Sequence, residues 1–293
     1  MNTLRYLLLL LGLLGSTLLP AQVLPAYQWF EGPSSKTATF RQVLKACKNA
    51  DVVFFGEIHN DPLAHWMQLE LFKGLNDLRT GELVIGMEMF ETDHNLALTE
   101  YAQQIIRFQD LETSVDLWPN YETDYRPLVD WAIQHQTPVV GTNIPRRYAN
   151  LIYRKGMGAL NTLSKEARAN LLPPLPWPID LNYRSYQEMD KLFGEASDHG
   201  GQGMKEAQAA KDYVMAWNIA QQWTKGKIVY HLNGSFHSDY HSGIVDHLKQ
   251  INPDLKIVTI STVRQKNLDR LQTEQSEKAD FILVTPEEFP SSY

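Results

Sequence analysis

The chain has 293 residues, 43% of them hydrophobic, and a formal net charge of -7. This length and apolar content suffice for one large folded domain with its own core. The acidic balance, with basic residues dispersed among acidic ones, excludes the basic stripe that nucleic-acid binding needs, so we expect small molecules or proteins as partners.

The first residues have the pattern of a secretory signal peptide. Arg5 supplies a positive charge, residues 6–14 are almost entirely leucine, and Ala21 offers a small residue for cleavage. The apolar run is shorter than the roughly 20 residues that span a bilayer, which disfavours the alternative of a transmembrane anchor. We therefore predict a leader over residues 1–21 and a periplasmic or secreted single domain over 22–293, with no stable membrane span. No cysteine follows the leader, so the sequence predicts no lipid anchor.

Short apolar runs recur along the chain and predict its strands. The first, at residues 52–55, is continuously apolar, which is typical of a central strand covered on both faces. Amphipathic helical patterns lie between most of the runs, and this alternation predicts an α/β fold: a mostly parallel sheet with helices on both faces. Residues 92–223 contain one convincing strand and much helix, so we predict a large helical insertion there. The remaining predicted strands are residues 83–87, 138–141, 228–232, 257–260 and 281–284.

Local signals predict several helix ends and one loop. Asp61 and Ser164 are each suited to cap a helix that follows them. Residues 194–203 are rich in glycine and predict a loop, and residues 204–223 predict a long helix. Cys47, the single cysteine, shares a helical face with apolar residues and is interpreted as a buried structural thiol.

The spacing Gly-x-x-His occurs twice, each time directly after an apolar strand. It runs from Gly56 to His59 and again from Gly234 to His237. Glycine at the end of a buried strand permits a sharp turn. In an open α/β sheet the loops beyond the carboxyl ends of the strands form one crevice, and ligands bind there. The two imidazoles are therefore expected to face one centre.

Two glutamates near these turns complete the candidate site. Glu57 lies inside the first turn, and Glu88 follows the second strand between two methionines. Burial of an acid there costs several kcal/mol unless it is paired, so Glu88 needs a partner or a metal. The set can form a two-histidine, one-carboxylate metal site or a general base beside an acid. The candidate catalytic residues are Glu57, His59, Glu88 and His237, and the candidate metal ligands are His59, Glu88 and His237.

Other polar residues have simpler interpretations. Arg146 follows the third strand and is suited to hold a carboxylate or propionate, with an ordinary salt bridge as the alternative. His65 is interpreted as a solvated helix residue and His231 as a core residue. A surface position is the default for His247. Glu91 is equally well explained as a helix cap.

Six short motifs together resemble the ChaN-like haem-binding proteins. The resemblance runs from about Asp51 to about Leu248, and the motifs stand in the family's order. The motifs are residues 56–60 (Gly-Glu-Ile-His-Asn), 86–90 (Gly-Met-Glu-Met-Phe), 125–127 (Tyr-Arg-Pro), 143–146 (Asn-Ile-Pro-Arg), 213–217 (Tyr-Val-Met-Ala-Trp) and 234–237 (Gly-Ser-Phe-His).

The resemblance implies haem binding in an iron-acquisition setting, at the interface of a homodimer and with tyrosine as the iron ligand. Tyrosine suits ferric haem because a phenolate favours the oxidised iron. Tyr183 and Tyr186 are the candidate ligands, and Arg146 is the candidate for a propionate. The chain departs from the family pattern in lacking a lipid-anchor cysteine and in having the bulky Phe236 before His237, which is expected to narrow the crevice.

The leading hypothesis is a periplasmic haem-binding protein that forms a homodimer and works with haem-uptake components. The family also belongs to a wider group that resembles the Tiki metalloproteases and erythromycin esterases. The second hypothesis is therefore a metal-dependent hydrolase in which His59, His237, Glu57 and Glu88 surround a divalent metal ion that activates water. A third is a scaffold whose site has lost its chemistry.

Overall fold

The computed structural model describes residues 25–193 and 201–293, so the predicted leader and most of the predicted loop at 194–203 lie outside the described residues. Eight strands form one sheet in the order β2-β1-β8-β7-β3-β6-β4-β5, and every pairing from β8 to β5 is parallel. The strands are β1 Gln28–Glu31, β2 Thr37–Ala38, β3 Val52–Glu57, β4 Leu83–Glu91, β5 Val139–Asn143, β6 Ile228–Gly234, β7 Ile257–Gln265 and β8 Phe281–Pro286.

Helices connect the parallel strands. Their bounds are α1 Phe40–Cys47, α2 Pro62–Leu78, α3 Asn95–Ala102, α4 Phe108–Ser114, α5 Arg126–Gln134, α6 Arg146–Lys155, α7 Lys165–Leu171, α8 Arg184–Phe193, α9 Gly201–Gln222 and α10 Ile244–Ile251. The expected caps are present: the Asp61 carboxylate accepts hydrogen bonds from the first turn of α2, and the Ser164 hydroxyl accepts one from α7. None of the described helices combines the length and the apolarity needed to cross a bilayer.

The central strand β3 is buried on both faces, which explains its continuous apolar sequence. Val53 and Phe55 pack with residues of α1, α2 and α5, whereas Val52 and Phe54 pack with residues of α9 and α10. Successive side chains of a strand point to opposite faces, so one strand supports both helical layers. The predicted fold class, a mostly parallel α/β sheet with helices on both faces, is confirmed.

The short antiparallel pair β1 and β2 was not predicted. It extends the sheet beyond β8, with Trp29 opposite Leu283. Strands of four and two residues are too short to give a periodic signal. Cys47 at the end of α1 is fully buried, as expected.

Candidate functional site

A cleft of about 550 Å³ opens at the carboxyl edge of the sheet. Glu57, His59, Glu88, Arg146 and His237 all line this cleft. The structure therefore brings together five residues chosen from the sequence, while their catalytic and ligand roles stay predictions. Further lining residues are the apolar Ile58, Met89, Trp118, Ile144, Met189, Met204 and Phe236 and the polar Glu91, Asn143, Gln208 and Lys211.

The two Gly-x-x-His turns contact each other. β3 and β6 are neighbours, and their register pairs Glu57 with Gly234. A Cβ on Gly56 would lie 2.8 Å from the Cα of Ser235, and one on Gly234 would lie 2.7 Å from Nε2 of His59. Neither glycine has a positive φ. The glycines are therefore required for close approach of the two turns, not for the sharp turn expected from the sequence.

Glu57 is 2% exposed, and its carboxylate accepts hydrogen bonds from three side chains. Oε1 accepts from His59 Nδ1 at 2.9 Å and from the Tyr125 hydroxyl at 2.6 Å, and Oε2 accepts from Gln68 Nε2 at 2.6 Å. Burial alone raises the pKa of Glu57, but nearby imidazoles and these hydrogen bonds outweigh burial, so the pKa lies below its usual value. Because an ionised carboxylate only accepts, Nδ1 of His59 must be the donor.

Two hydrogen bonds hold the backbone of the first Gly-x-x-His turn in place. The carbonyl of His59 accepts from His65 Nε2 at 3.0 Å and from Asn120 Nδ2 at 2.7 Å. Tyr125 ends a π-helical turn over Tyr121–Tyr125, a rare element that recurs at functional sites. The interpretation of His65 as solvated was wrong: it is 3% exposed, because that face of α2 packs toward the sheet.

A β-bulge presents Glu88 to the cleft. β4 pairs with β5 at Met87 and Gly141 and again at Glu91 and Asn143, so three residues of β4 lie opposite one of β5. Bulges next to functional sites commonly redirect a side chain. The strand was expected to end at residue 87 and instead continues to residue 91, because backbone irregularities of this kind leave no periodic signal.

Glu88 is the partner of the second turn. Its Oε2 accepts from the backbone N–H of Gly234 at 2.7 Å, and its Oε1 lies 3.0 Å from Nε2 of His237. The other ring nitrogen of His237, Nδ1, is hydrogen-bonded to Oδ1 of Asp212 in α9. Glu88 is only 4% exposed, and a buried carboxylate is costly unless it is paired; these contacts supply its partners. The sequence reasoning did not identify Asp212. Its sequence signal is a single carboxylate among apolar residues of a helix, which indicates a buried acid that needs a partner.

The Glu88, His237 and Asp212 cluster holds a buried positive charge between two negative ones. Burial alone lowers the pKa of His237, but the charges of Glu88 and Asp212 outweigh it and raise the pKa to about 10. Burial alone would raise the pKa of Glu88, yet His237 and its hydrogen bond hold it far below its usual value. His237 is accordingly an imidazolium at neutral pH.

The two candidate tyrosine ligands lie outside the lining of the cleft. Tyr186 is fully buried and donates its hydroxyl hydrogen bond to Oδ2 of Asp212 at 2.8 Å. The hydroxyl of Tyr183 accepts from the side chain of Gln250. His247, expected at the surface, is also fully buried and lies 3.2 Å from the Tyr186 hydroxyl, because α10 packs this face against α9. In this arrangement neither tyrosine hydroxyl faces the cleft.

Two basic residues border the cleft. The guanidinium of Arg146 is 59% exposed and lies 3.3 Å from Asp116, so its ion pair is a weak surface one. The Glu91 carboxylate accepts from the backbone N–H of Arg146 at 2.8 Å and so caps α6. Lys211, in α9, lies close enough to Glu88 to help keep that carboxylate ionised.

One cluster of possible metal-ion ligands lies outside the predicted set. Within the described residues, one trio has ligand atoms all within 4.8 Å of one another, and it consists of Glu91, Asp93 and His94. The predicted trio of His59, Glu88 and His237 is not among the groups of that spacing in the described part of the chain.

A family model described as "Haem-binding uptake, Tiki superfamily, ChaN" matches residues 43–248, well over half of the chain. The chain belongs to this family. The resemblance seen in the six sequence motifs is thereby confirmed.

Two solved structures are similar to the chain. The structure described as cofacial heme binding to ChaN of Campylobacter jejuni is 18% identical, with a TM-score of 0.68, over 91% of this chain and 99% of that one. A mutant of erythromycin esterase EreC in its open conformation is 12% identical, with a TM-score of 0.49, over 88% of this chain and 97% of that one. No curated protein sequence matches the chain.

Proposed function

We propose that this chain binds haem in the cleft at the carboxyl edge of its sheet and takes part in haem or iron uptake. The observation that carries the proposal is the combination of apolar walls and a basic rim in that cleft. Ligand sites of this kind are mostly apolar, with a few polar groups that fix the orientation. Membership of the ChaN family and the cofacial heme binding of the Campylobacter jejuni protein support the choice of ligand.

The residues that line the cleft fit haem in their chemistry. Trp118, Phe236 and Met89 supply flat or adaptable apolar surface for the ring. Arg146 and Lys211 supply positive charge for the propionates. When bound, haem supplies an iron whose ligand and potential depend on the surrounding side chains.

A haem titration of the purified mature chain tests this proposal. We expect a Soret shift that saturates at a fixed ratio of haem to protein. Arg146→Gln and Lys211→Gln should each weaken binding, whereas Arg147→Gln should not, because Arg147 is ion-paired with Asp93 and does not line the cleft. A titration without a saturating shift would contradict haem binding. An equal loss of haem affinity in all three variants would contradict the proposal that haem binds in this cleft.

We propose a periplasmic location and a homodimeric haem-bound state on the basis of the leader pattern and the family. The mass of the chain from the periplasmic fraction should correspond to loss of residues 1–21. Sedimentation with and without haem measures the assembly. A full-length chain in the cytoplasmic fraction would overturn the proposed location. A monomer at saturating haem would overturn the proposed homodimer.

The second candidate, a hydrolase, is favoured by one observation: both imidazoles lining the cleft contact carboxylates, which suits proton transfer. Metal analysis of wild type, His59→Ala and His237→Ala tests the metal-dependent form. Metal content that is the same in all three would remove the support for a divalent ion at these residues.

A further inference from the structure

A second cavity, of about 510 Å³, lies in the helical insertion. It shares no lining residue with the cleft at the carboxyl edge of the sheet. Its walls come from the turn that follows α6, from α7, from the chain between α7 and α8, and from the start of α9. The lining is mostly apolar and includes Met157, Trp177 and Leu181, and its charged residues are Arg168 and Glu206.

Arg168 differs from the other arginines of the insertion in its contacts. Its Nε is buried without a hydrogen-bond acceptor, and the described residues provide no carboxylate partner for its guanidinium. A guanidinium held partly buried in this way is stabilised by an acceptor that arrives with a ligand. The other arginines each have an acceptor: Arg107 has Asp110, Arg126 has Glu122, Arg146 has Asp116, Arg147 has Asp93, Arg154 has the Asn150 carbonyl and Arg184 has Glu277.

The charges around Arg168 favour an anion. A neighbouring cavity of about 530 Å³ is lined by Arg168 and Lys165, and none of the described residues in its lining is acidic. In the first cavity the carboxylate of Glu206 already has partners: Oε2 accepts from the backbone N–H of Met157 at 2.9 Å, and Oε1 accepts from Gln202 Nε2 at 2.9 Å. Glu206 therefore holds the wall of the cavity, whereas Arg168 is available to a ligand.

Trp177 forms a fixed apolar wall of the same cavity. It is 9% exposed, its ring stacks on Tyr213 at 5.5 Å between centroids, and its Nε1 donates to the Pro173 carbonyl at 3.1 Å. Met157 packs against the same hydrophobic cluster and adds an adaptable side chain. Sites for small ligands are mostly apolar, with a few polar groups that fix the orientation of the ligand. This cavity has that composition.

We propose that the insertion carries a second ligand site, in which Arg168 binds the carboxylate of a small monocarboxylic acid while Trp177 and Met157 contact its apolar part. The two oxygens of a carboxylate match the fork of one guanidinium, and its single charge matches that of Arg168. A phosphate monoester carries almost twice that charge at neutral pH, and the lining of the cavity does not balance it. The site is independent of the proposed haem binding.

Calorimetric titration of the purified mature chain with phenylpropionate tests this site. Phenylpropanol is the uncharged analogue, and acetate is the analogue without an apolar part. We expect saturable binding of phenylpropionate and much weaker binding of the other two. Arg168→Gln should weaken the binding of phenylpropionate about tenfold or more, as is usual for loss of hydrogen bonds to a charged group. The control Arg154→Gln should leave the affinity unchanged, because Arg154 does not line the cavity.

Haem-saturated protein provides a second control. It should bind phenylpropionate with the affinity of the haem-free protein, because the cleft and the cavity share no lining residue. Loss of phenylpropionate binding in the presence of haem would place the acid in the cleft and overturn the second site.

Three further outcomes would contradict the proposal. An unchanged affinity in Arg168→Gln, or an equal loss in Arg154→Gln, would overturn the role of Arg168. Circular dichroism shows whether each variant is folded, and equal binding of phenylpropanol to wild type would overturn carboxylate recognition without any variant. Wild type that does not bind phenylpropionate would overturn the site and leave the haem-binding proposal standing.

Discussion

The two Gly-x-x-His turns share one sequence pattern and one edge of the sheet, but their histidines are in opposite states. His59 is half-exposed, has one carboxylate partner on Nδ1 and has no hydrogen-bond partner on Nε2 among the described residues. His237 is 5% exposed and has a carboxylate on each nitrogen. The comparison teaches that a motif places an imidazole, whereas its surroundings decide whether the imidazole is available to a ligand or fixed within the fold.

Removal of the buried imidazole should have the largest effect. His237→Ala leaves Glu88 and Asp212 buried without their shared positive partner, and loss of one member of a buried ion pair costs about 3–5 kcal/mol. His59→Ala, at a half-exposed position, should cost about 1 kcal/mol or less. Urea unfolding of the two variants measures both values. Equal losses of unfolding free energy in the two variants would contradict the distinction between a fixed and an available histidine.

Because of the cluster of Glu88, His237 and Asp212, the free energy of unfolding should fall at alkaline pH. The folded-state pKa of His237 is raised to about 10 from 6.5, so its contribution is fully present below pH 6.5 and is lost as the pH rises through about 10. The free energy of unfolding of wild type should therefore decline across this range more steeply than that of His237→Gln. Parallel pH profiles for the two proteins would show that His237 is not charged in the fold.

Close packing of the turns gives the next effect. Gly234→Ala introduces a methyl 2.7 Å from the His59 ring, and overpacking of this kind costs about 1–3 kcal/mol. Gly158→Ala should change stability by about 0.5 kcal/mol or less, because its Cβ meets nothing within 4 Å. Thermal unfolding compares the pair. A neutral Gly234→Ala would mean that the His59 ring moves away freely.

The smallest effect is a titration shift without unfolding. Burial alone lowers the pKa of His59, but the hydrogen bond to Glu57 and the charge of Glu88 outweigh it and raise the pKa above its usual value. Glu57→Gln should therefore lower the pKa of His59 in the haem-free protein, as followed by NMR of the ring protons. An unchanged titration would mean that Glu57 does not orient the ring.

Much of the sheet was predictable, because continuous apolar runs such as residues 52–55 identify buried parallel strands. The convergence of His59, Glu88 and His237 followed from one rule about the carboxyl edge of such sheets. Asp212 was not predictable from spacing, since α9 reaches the cleft only through the tertiary packing of the sheet. His65 and His247 were placed wrongly for a similar reason: which face of a helix is buried depends on its neighbours.

The bulge in β4 sets a limit on changes in chain length at this edge. Between Met87 and Glu91 the strand is two residues longer than a regular ladder with β5 would allow. A variant that lacks Glu88 and Met89 would have the residue count of an ordinary ladder, yet it would no longer supply the carboxylate that accepts from the Gly234 N–H. The irregular stretch of β4 therefore makes the contact with the second histidine turn, and this deletion would abolish that contact while it restores the ladder.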